Sequence, residues 1–241
     1  MPFLITLLLG AGLALSDTYT TLLQTHIRDD GRVNYTTLKA SADTQALMQE
    51  LAHAQIPTEQ NEKMAFWINA YNLITLHLVS SEFPVKSIQD LDGGKVWTNR
   101  KFTVGDQLFT LDTIENKKLR TMGDPRIHAA ISCASIGCPP LWNHPYDGQK
   151  LDEQLDNAMN RWTNSNGYRF KDGHLEISEV YTWYSADFNV PKGTQYPAYP
   201  AENWGALYWL QRSAKDDKLN MAIEAGTPIR PWPYNWGLNS Q

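Results

Sequence analysis

The chain has 241 residues, a formal net charge of −5 and a hydrophobic share of 42%. That share excludes a disordered chain, and an acidic balance without any Lys/Arg cluster excludes a nucleic acid as partner. The length suits one globular domain with a sizeable core.

Residues 2–15 are almost wholly apolar and uncharged, with Ala14 and Ser16 at −3 and −1 from a cut before Asp17. The run falls short of the roughly 20 apolar residues of a membrane span, and only the start amine stands in for a basic leader. A signal segment over 1–16 is therefore expected, then a single domain over 17–241. Such a protein is periplasmic or secreted, with no membrane contact after cleavage.

Leu22, Leu23 and Ile27 recur at helical spacing and predict a helix over 18–26. Asp29-Asp30-Gly31 marks a turn before a short extended piece, 32–35. An amphipathic helix follows over 43–54, and a stronger one over 62–79 that ends before Phe83-Pro84. Alternation over 95–110 with Gly105-Asp106 predicts a hairpin. A short helix starts at Leu111 with Asp112 as N-cap. Residues 127–132 form a buried strand in this reading, and 152–164 a helix. A second hairpin over 168–177 turns at Asp172-Gly173, and helices follow over 181–188 and 201–213. Helices dominate and strands are short, so the expected class is α+β, a helix-rich domain with a small, mostly antiparallel sheet. Tryptophan, at nine residues, is abundant. The core accounts for it more simply than the rim of a groove.

Both cysteines lie in the small-residue loop that follows the 127–132 run. Backbone amides near a strand end can lower a thiol pKa, and the thiolate is the reactive form, so Cys133 is a candidate nucleophile or redox thiol. Two structural readings compete: a Cys133–Cys138 disulfide, which needs Cα atoms within about 7 Å, and an inert packed thiol. His128 is the nearest candidate base, but an extended chain puts it some 16 Å from Cys133 and on the opposite face. A sharp bend would be needed to pair them. His77 lies on the 62–79 helix about 80° from Asn69 around the axis and is the second candidate. Asn69 and Asn72 stand out in so apolar a helix. They either polarise a substrate amide or hold the Cys133 loop by its backbone, and both roles put the helix against the loop. Glu115, in a first helical turn, is a candidate to orient a base. Ser135 is a candidate oxyanion donor. Arg126 and Trp142 join Asn69 and Asn72 as candidate substrate-binding residues. No zinc, phosphate-loop or Gly-x-Ser-x-Gly pattern is present, so neither metal nor cofactor is expected.

The segments Ala65–Asn72, Phe102–Gly105, Leu111–Glu115, Asp124–Leu141 and Trp183–Phe188, with the closing Tyr234–Asn239, resemble the domain of unknown function family numbered 547. The likeness runs from roughly residue 20 to the C-terminus. The chain departs from the family at Asn116, where members often carry His, and at Leu141-Trp142-Asn143, where they often carry Leu-Arg-Asn. Plant members keep the first cysteine and not the second, which implies a role for Cys133 beyond pairing with Cys138. The leading expectation is an exported cysteine-dependent hydrolase or acyltransferase acting on an amide, ester or thioester of a small-molecule or peptide substrate. The alternative is a non-catalytic exported binding module stapled by a Cys133–Cys138 disulfide, with its Trp-rich end on a peptide or glycan. A thiol partner in redox traffic is third.

Overall fold

The computed structural model describes residues 17–214 and 216–241. The expected signal segment lies outside the described residues. Helices α1 (Asp17–His26), α2 (Tyr35–Ala40) and α3 (Asp43–Ala52) pack around α4 (Gln60–Glu82). Within α4, every residue from Met64 to Ser80 except His77 is buried. A helix apolar on all sides belongs at a core's centre. It starts where the Glu59 carboxylate accepts the Glu62 N–H at 3.0 Å. It stops at Phe83, extended ahead of Pro84.

Next come a 3₁₀ segment over Ile88–Gly94, α5 (Val96–Asn99), and the hairpin of β1 (Phe102–Val104) and β2 (Gln107–Phe109). Helix α6 (Leu111–Ile114) follows. Its cap is Thr110, whose hydroxyl accepts the Thr113 N–H at 3.1 Å, and not Asp112 as the sequence suggested. The chain then widens into a π turn over Glu115–Leu119, a geometry found disproportionately at functional sites.

Residues 127–132 do not form the expected strand. Helix α7 (Ile127–Ala130) stands there, and the chain becomes extended at Ile131. The cause is local. The Asp124 carboxylate accepts the Arg126 N–H at 2.9 Å, and Pro125 supplies a preset φ and lacks an N–H. That helix-start chemistry prevails over the apolar run.

Helix α8 (Leu151–Trp162) buries Leu151, Leu155, Ala158, Met159 and Trp162 along one stripe. Strands β3 (Tyr168–Lys171) and β4 (His174–Ser178) form the second hairpin, and α9 (Glu179–Trp183) is shorter than expected. Helices α10 (Trp204–Ser213) and α11 (Asp217–Glu224) lead to β5 (Ile229–Trp232), which pairs with β4 in parallel. The class is thus helix-rich α+β, with one antiparallel hairpin and one mixed three-stranded sheet in the order β3-β4-β5. Among the described residues no helix is long and apolar enough to cross a membrane.

Apolar side chains gather in two cores. One is built on α1–α4 and α6 and takes in Ile127, Ala130, Ile131 and Ala134. The other joins α8, α9 and α10 to the three-stranded sheet and takes in Ala129. Helix α7 and the cysteine loop run along the seam. The C-terminal tail straps that loop: Ile136 N–H donates to Gly237 O at 2.8 Å and Gly137 N–H to Asn235 O at 2.9 Å. A Cβ on Gly137 would stand 2.7 Å from Asn235 N, so only glycine lets the tail lie this close.

Candidate active site

A cavity of about 290 Å³ opens at the seam, at the small end of the range for ligand pockets. Its polar lining comes from the π turn and its lead-in (Asp112, Glu115, Asn116), from α7 (His128) and from the cysteine loop (Cys133). Its aromatic lining is Tyr71 from α4, Trp97 from α5, Trp183 and Tyr184 from α9 and its end, and Trp236 from the tail.

His128 is held on two sides. Its Nε2 lies 2.8 Å from an Asp187 carboxylate oxygen, and its ring stacks on Tyr184 with centroids 4.0 Å apart. Asp187 also receives two Arg120 hydrogen bonds, at 2.6 and 2.9 Å. Burial opposes the Asp187 charge, yet the Arg120 and His128 bonds hold its carboxyl below the usual range. An ionised Asp187 accepts, so the network assigns the His128 proton to Nε2 and leaves Nδ1 as the acceptor. Nδ1 has no hydrogen-bond partner among the described residues. Burial, partly offset by Asp187, pushes the imidazole down to about 4, so the ring is neutral at pH 7.

Glu115 is only 7% exposed. Burial raises its pKa against the opposing hydrogen bonds of Tyr184 and Tyr71. The Tyr71 hydroxyl donates at 3.2 Å.

The cysteines are both unbridged, without the disulfide that the alternative reading required. Cys133 is half-buried on the cavity, and Cys138 lies buried behind it. The Cys133 N–H donates to the Cys138 sulfur at 2.9 Å, and the Cys133 thiol hydrogen-bonds the same sulfur, which when protonated donates to Ile131 O at 3.7 Å. Burial opposes a Cys138 thiolate, but these bonds and one from Tyr234 hold its pKa below the ordinary thiol value. Cys133 moves the other way, because its proton is held by Cys138, because it is buried, and because Glu115 is near. The amide at the bend thus serves the second sulfur and not the first.

The structure brings Cys133, His128 and Glu115 to one cavity. A helical turn in place of a strand is what bends the chain between His128 and Cys133. The other candidates lie elsewhere. Asn72 donates to Ala130 O and accepts from Ser132 N–H, both at 2.9 Å. Asn69 donates to Tyr146 O at 2.7 Å and accepts from Tyr146 N–H at 2.9 Å. Both amides are occupied by backbone, but only Asn72 holds the Cys133 segment as the loop-holding reading has it; Asn69 holds Tyr146 instead. His77 does not line the cavity; its Nδ1 is buried without a partner and burial lowers its pKa. Ser135 bonds the Tyr234 hydroxyl at 2.6 Å. Arg126 is clasped by Asp124, Asp152 and Asp156 beside a separate polar hollow. Trp142 packs on Tyr146. Among the described residues no three His, Cys, Asp or Glu side chains are placed to hold a metal ion.

Sequence reasoning did not single out Tyr71, Tyr184, Asp187, Trp97, Trp183 or Trp236. Tyr71, Trp183, Tyr184, Asp187 and Trp236 sit inside segments that carried the family likeness, which was the available signal. Tryptophan divides between the two roles weighed for it: Trp67 and Trp162 are core, while Trp97, Trp183 and Trp236 wall the cavity.

Fold and cavity together define a helix-rich α+β protein with a thiol, an imidazole and a buried carboxyl converging at the seam of two cores. The chain resembles a known family: residues 57–162 match the model of the protein of unknown function family DUF547. That stretch is narrower than the likeness read from the motifs, and it contains Tyr71, Glu115, His128 and both cysteines. No curated protein and no solved structure matches the chain.

Proposed function

We propose that this chain is an exported thiol-dependent acyl-transfer enzyme, a hydrolase or acyltransferase working on an amide, ester or thioester with Cys133 as nucleophile. The observation that carries the reading is the convergence on one cavity of Cys133, a neutral His128 fixed by Asp187, and Glu115. Acyl transfer asks for a nucleophile, a base and an acid in reach of one carbonyl. In the reactive form Cys138 is the thiolate, and Cys133 attacks the carbonyl carbon while its proton passes to that sulfur, to which it is hydrogen-bonded. Glu115, kept toward its neutral form by burial, protonates the leaving group. The acyl group then sits on Cys133 as a thioester. Nδ1 of His128 takes a proton from the water or other acceptor that resolves it. On release, Cys133 recovers its proton from Cys138 and Glu115 recovers its own from His128. Asp187 and Arg120 are positioning residues, since they act by fixing the imidazole.

The test is a mass measurement on protein quenched during exposure to a panel of acyl thioesters and p-nitrophenyl esters. An acyl adduct mapped to Cys133, absent in Cys133→Ala and accumulating in His128→Asn, is the expected result. Turnover that survives Cys133→Ala, or no adduct on Cys133 with any donor, contradicts the reading.

A further inference from the structure

The charge of the cavity carries a statement about what enters it. Its acid side chains are Asp112 and Glu115, the second kept toward its neutral form by burial, and no Lys or Arg lines it. Of the basic residues that follow on the same segment, Arg120 pairs with Asp187, donates to the Asn116 side-chain carbonyl at 2.7 Å and lies over the Tyr184 ring at 5.2 Å; Lys118 lies over the Phe109 and Trp67 rings at 5.2 and 5.6 Å, and Lys117 is exposed. Asp112 has one side-chain hydrogen bond, from the Asn116 amide at 2.9 Å, and no ion-pair partner among the described residues. Around these acids stand the indoles. Trp97 and Trp236 meet edge to face at 6.0 Å, and Trp183 stacks on Trp236 at 5.8 Å with its surface 46% exposed.

An anionic group placed here would be desolvated beside the Asp112 carboxylate, with the Arg120 guanidinium already paired with Asp187. A positive group would find π faces and a carboxylate together, the combination that binds organic cations. We infer that the cavity is a recognition site for an organic ammonium group on the substrate, with Asp112 as counter-charge and Trp97, Trp183 and Trp236 as the aromatic walls. This deepens the acyl-transfer reading by giving the substrate class: an acyl donor or acceptor that carries an alkylated or primary ammonium within a few bonds of the reacting carbonyl. A volume of about 290 Å³ admits such a head group and a short chain, and not a folded polypeptide.

Three probes of one shape separate charge from fit: (2-hydroxyethyl)trimethylammonium, its uncharged carbon isostere 3,3-dimethylbutan-1-ol, and the anion 3,3-dimethylbutanoate. Each is titrated into the full protein by calorimetry, with tryptophan fluorescence as a second readout. The cation is expected to bind about tenfold or more tightly than the neutral isostere, with the anion weakest. Added salt should erode that preference. Asp112→Asn should abolish the preference and leave the neutral isostere's affinity as it was, which also shows that the variant is folded. Trp183→Ala, at an exposed position, should weaken the cation. Butylammonium in place of the trimethylated head tells an alkylated from a primary ammonium. Equal affinities for the three probes, tightest binding of the anion, no binding of any probe at millimolar concentration, or a preference that survives Asp112→Asn would each overturn the inference. The titration needs no turnover, so a failure here leaves acylation of Cys133 standing, and a failed acylation leaves the ammonium preference standing.

Discussion

His128 shows how one side chain can be both placed and tuned. Its depressed pKa means that the unfolded chain binds a proton, between pH 6.5 and about 4, that the folded chain does not. Stability is then complete above pH 6.5 and falls as the solution is acidified through that window. The loss is on the order of 3 kcal/mol. Asp187, with its pKa lowered, loses its own contribution at more acid pH, below the ordinary carboxylate value. Thermal unfolding followed from pH 7 to 4.5 should show a falling Tm for the wild type and a flatter line for His128→Asn. Parallel slopes would mean that the imidazole is not held neutral. The two sulfurs show the limit of reading single residues. Sequence identified Cys133 as the thiol to watch, and it is the one on the cavity. Sequence could not show that its own N–H and thiol proton both turn to Cys138, because that depends on the bend that α7 makes.

At the scale of elements, the asparagines of α4 are the clearest case. An amide in an apolar helix signals a partner. The structure supplies backbone partners: the segment before Cys133 for Asn72 and Tyr146 for Asn69. Replacing either by Ala leaves a buried carbonyl and a buried N–H unpaired, a cost of about 2–4 kcal/mol. The two variants should differ in one respect. Asn72→Ala should also speed amide exchange at 130–133 and alkylation at Cys133, and Asn69→Ala should not. Equal effects on Cys133 would mean that Asn72 does not hold the loop. Gly205 plays a comparable part for Asp187. A Cβ there would stand 1.8 Å from Phe188 O, so α10 lies directly against the residue next to Asp187. Gly205→Ala is expected to lower stability by several kcal/mol, as overpacking against backbone does, and to free His128. An unchanged Tm would contradict that packing. Much of this level was legible. The long buried helix, both hairpins and α8 follow from periodicity and turn residues. The segment 127–130 was not, because an apolar run of that length fits strand and helix equally and Asp124-Pro125 decides it. Strand β5 was missed because a parallel partner for β4 is set by the fold, with no local signal, and Pro231 lies within it.

At the scale of the molecule, two cores meet and the chemistry-bearing residues line the seam. That arrangement explains why the family-like segments are so scattered along the chain. Ala65–Asn72, Leu111–Glu115, Asp124–Leu141, Trp183–Phe188 and Tyr234–Asn239 are far apart in sequence and each supplies residues to one cavity, while Phe102–Gly105 supplies none. Their order was readable; their convergence was not, because no local pattern states which core a segment joins. The central claim is that Cys133 faces the cavity as a nucleophile whose proton is held by Cys138, with Cys138 itself sealed off. The direct measurement is alkylation of the native, non-reduced protein by iodoacetamide across pH 6 to 10, with each cysteine quantified by peptide mapping. Cys133 should take the label, with a rate that climbs only above the ordinary thiol pKa, while Cys138 stays unlabelled throughout. Labelling of Cys138 first, a Cys133 rate already at its plateau near pH 7, or a bridged pair that takes no label would contradict the account.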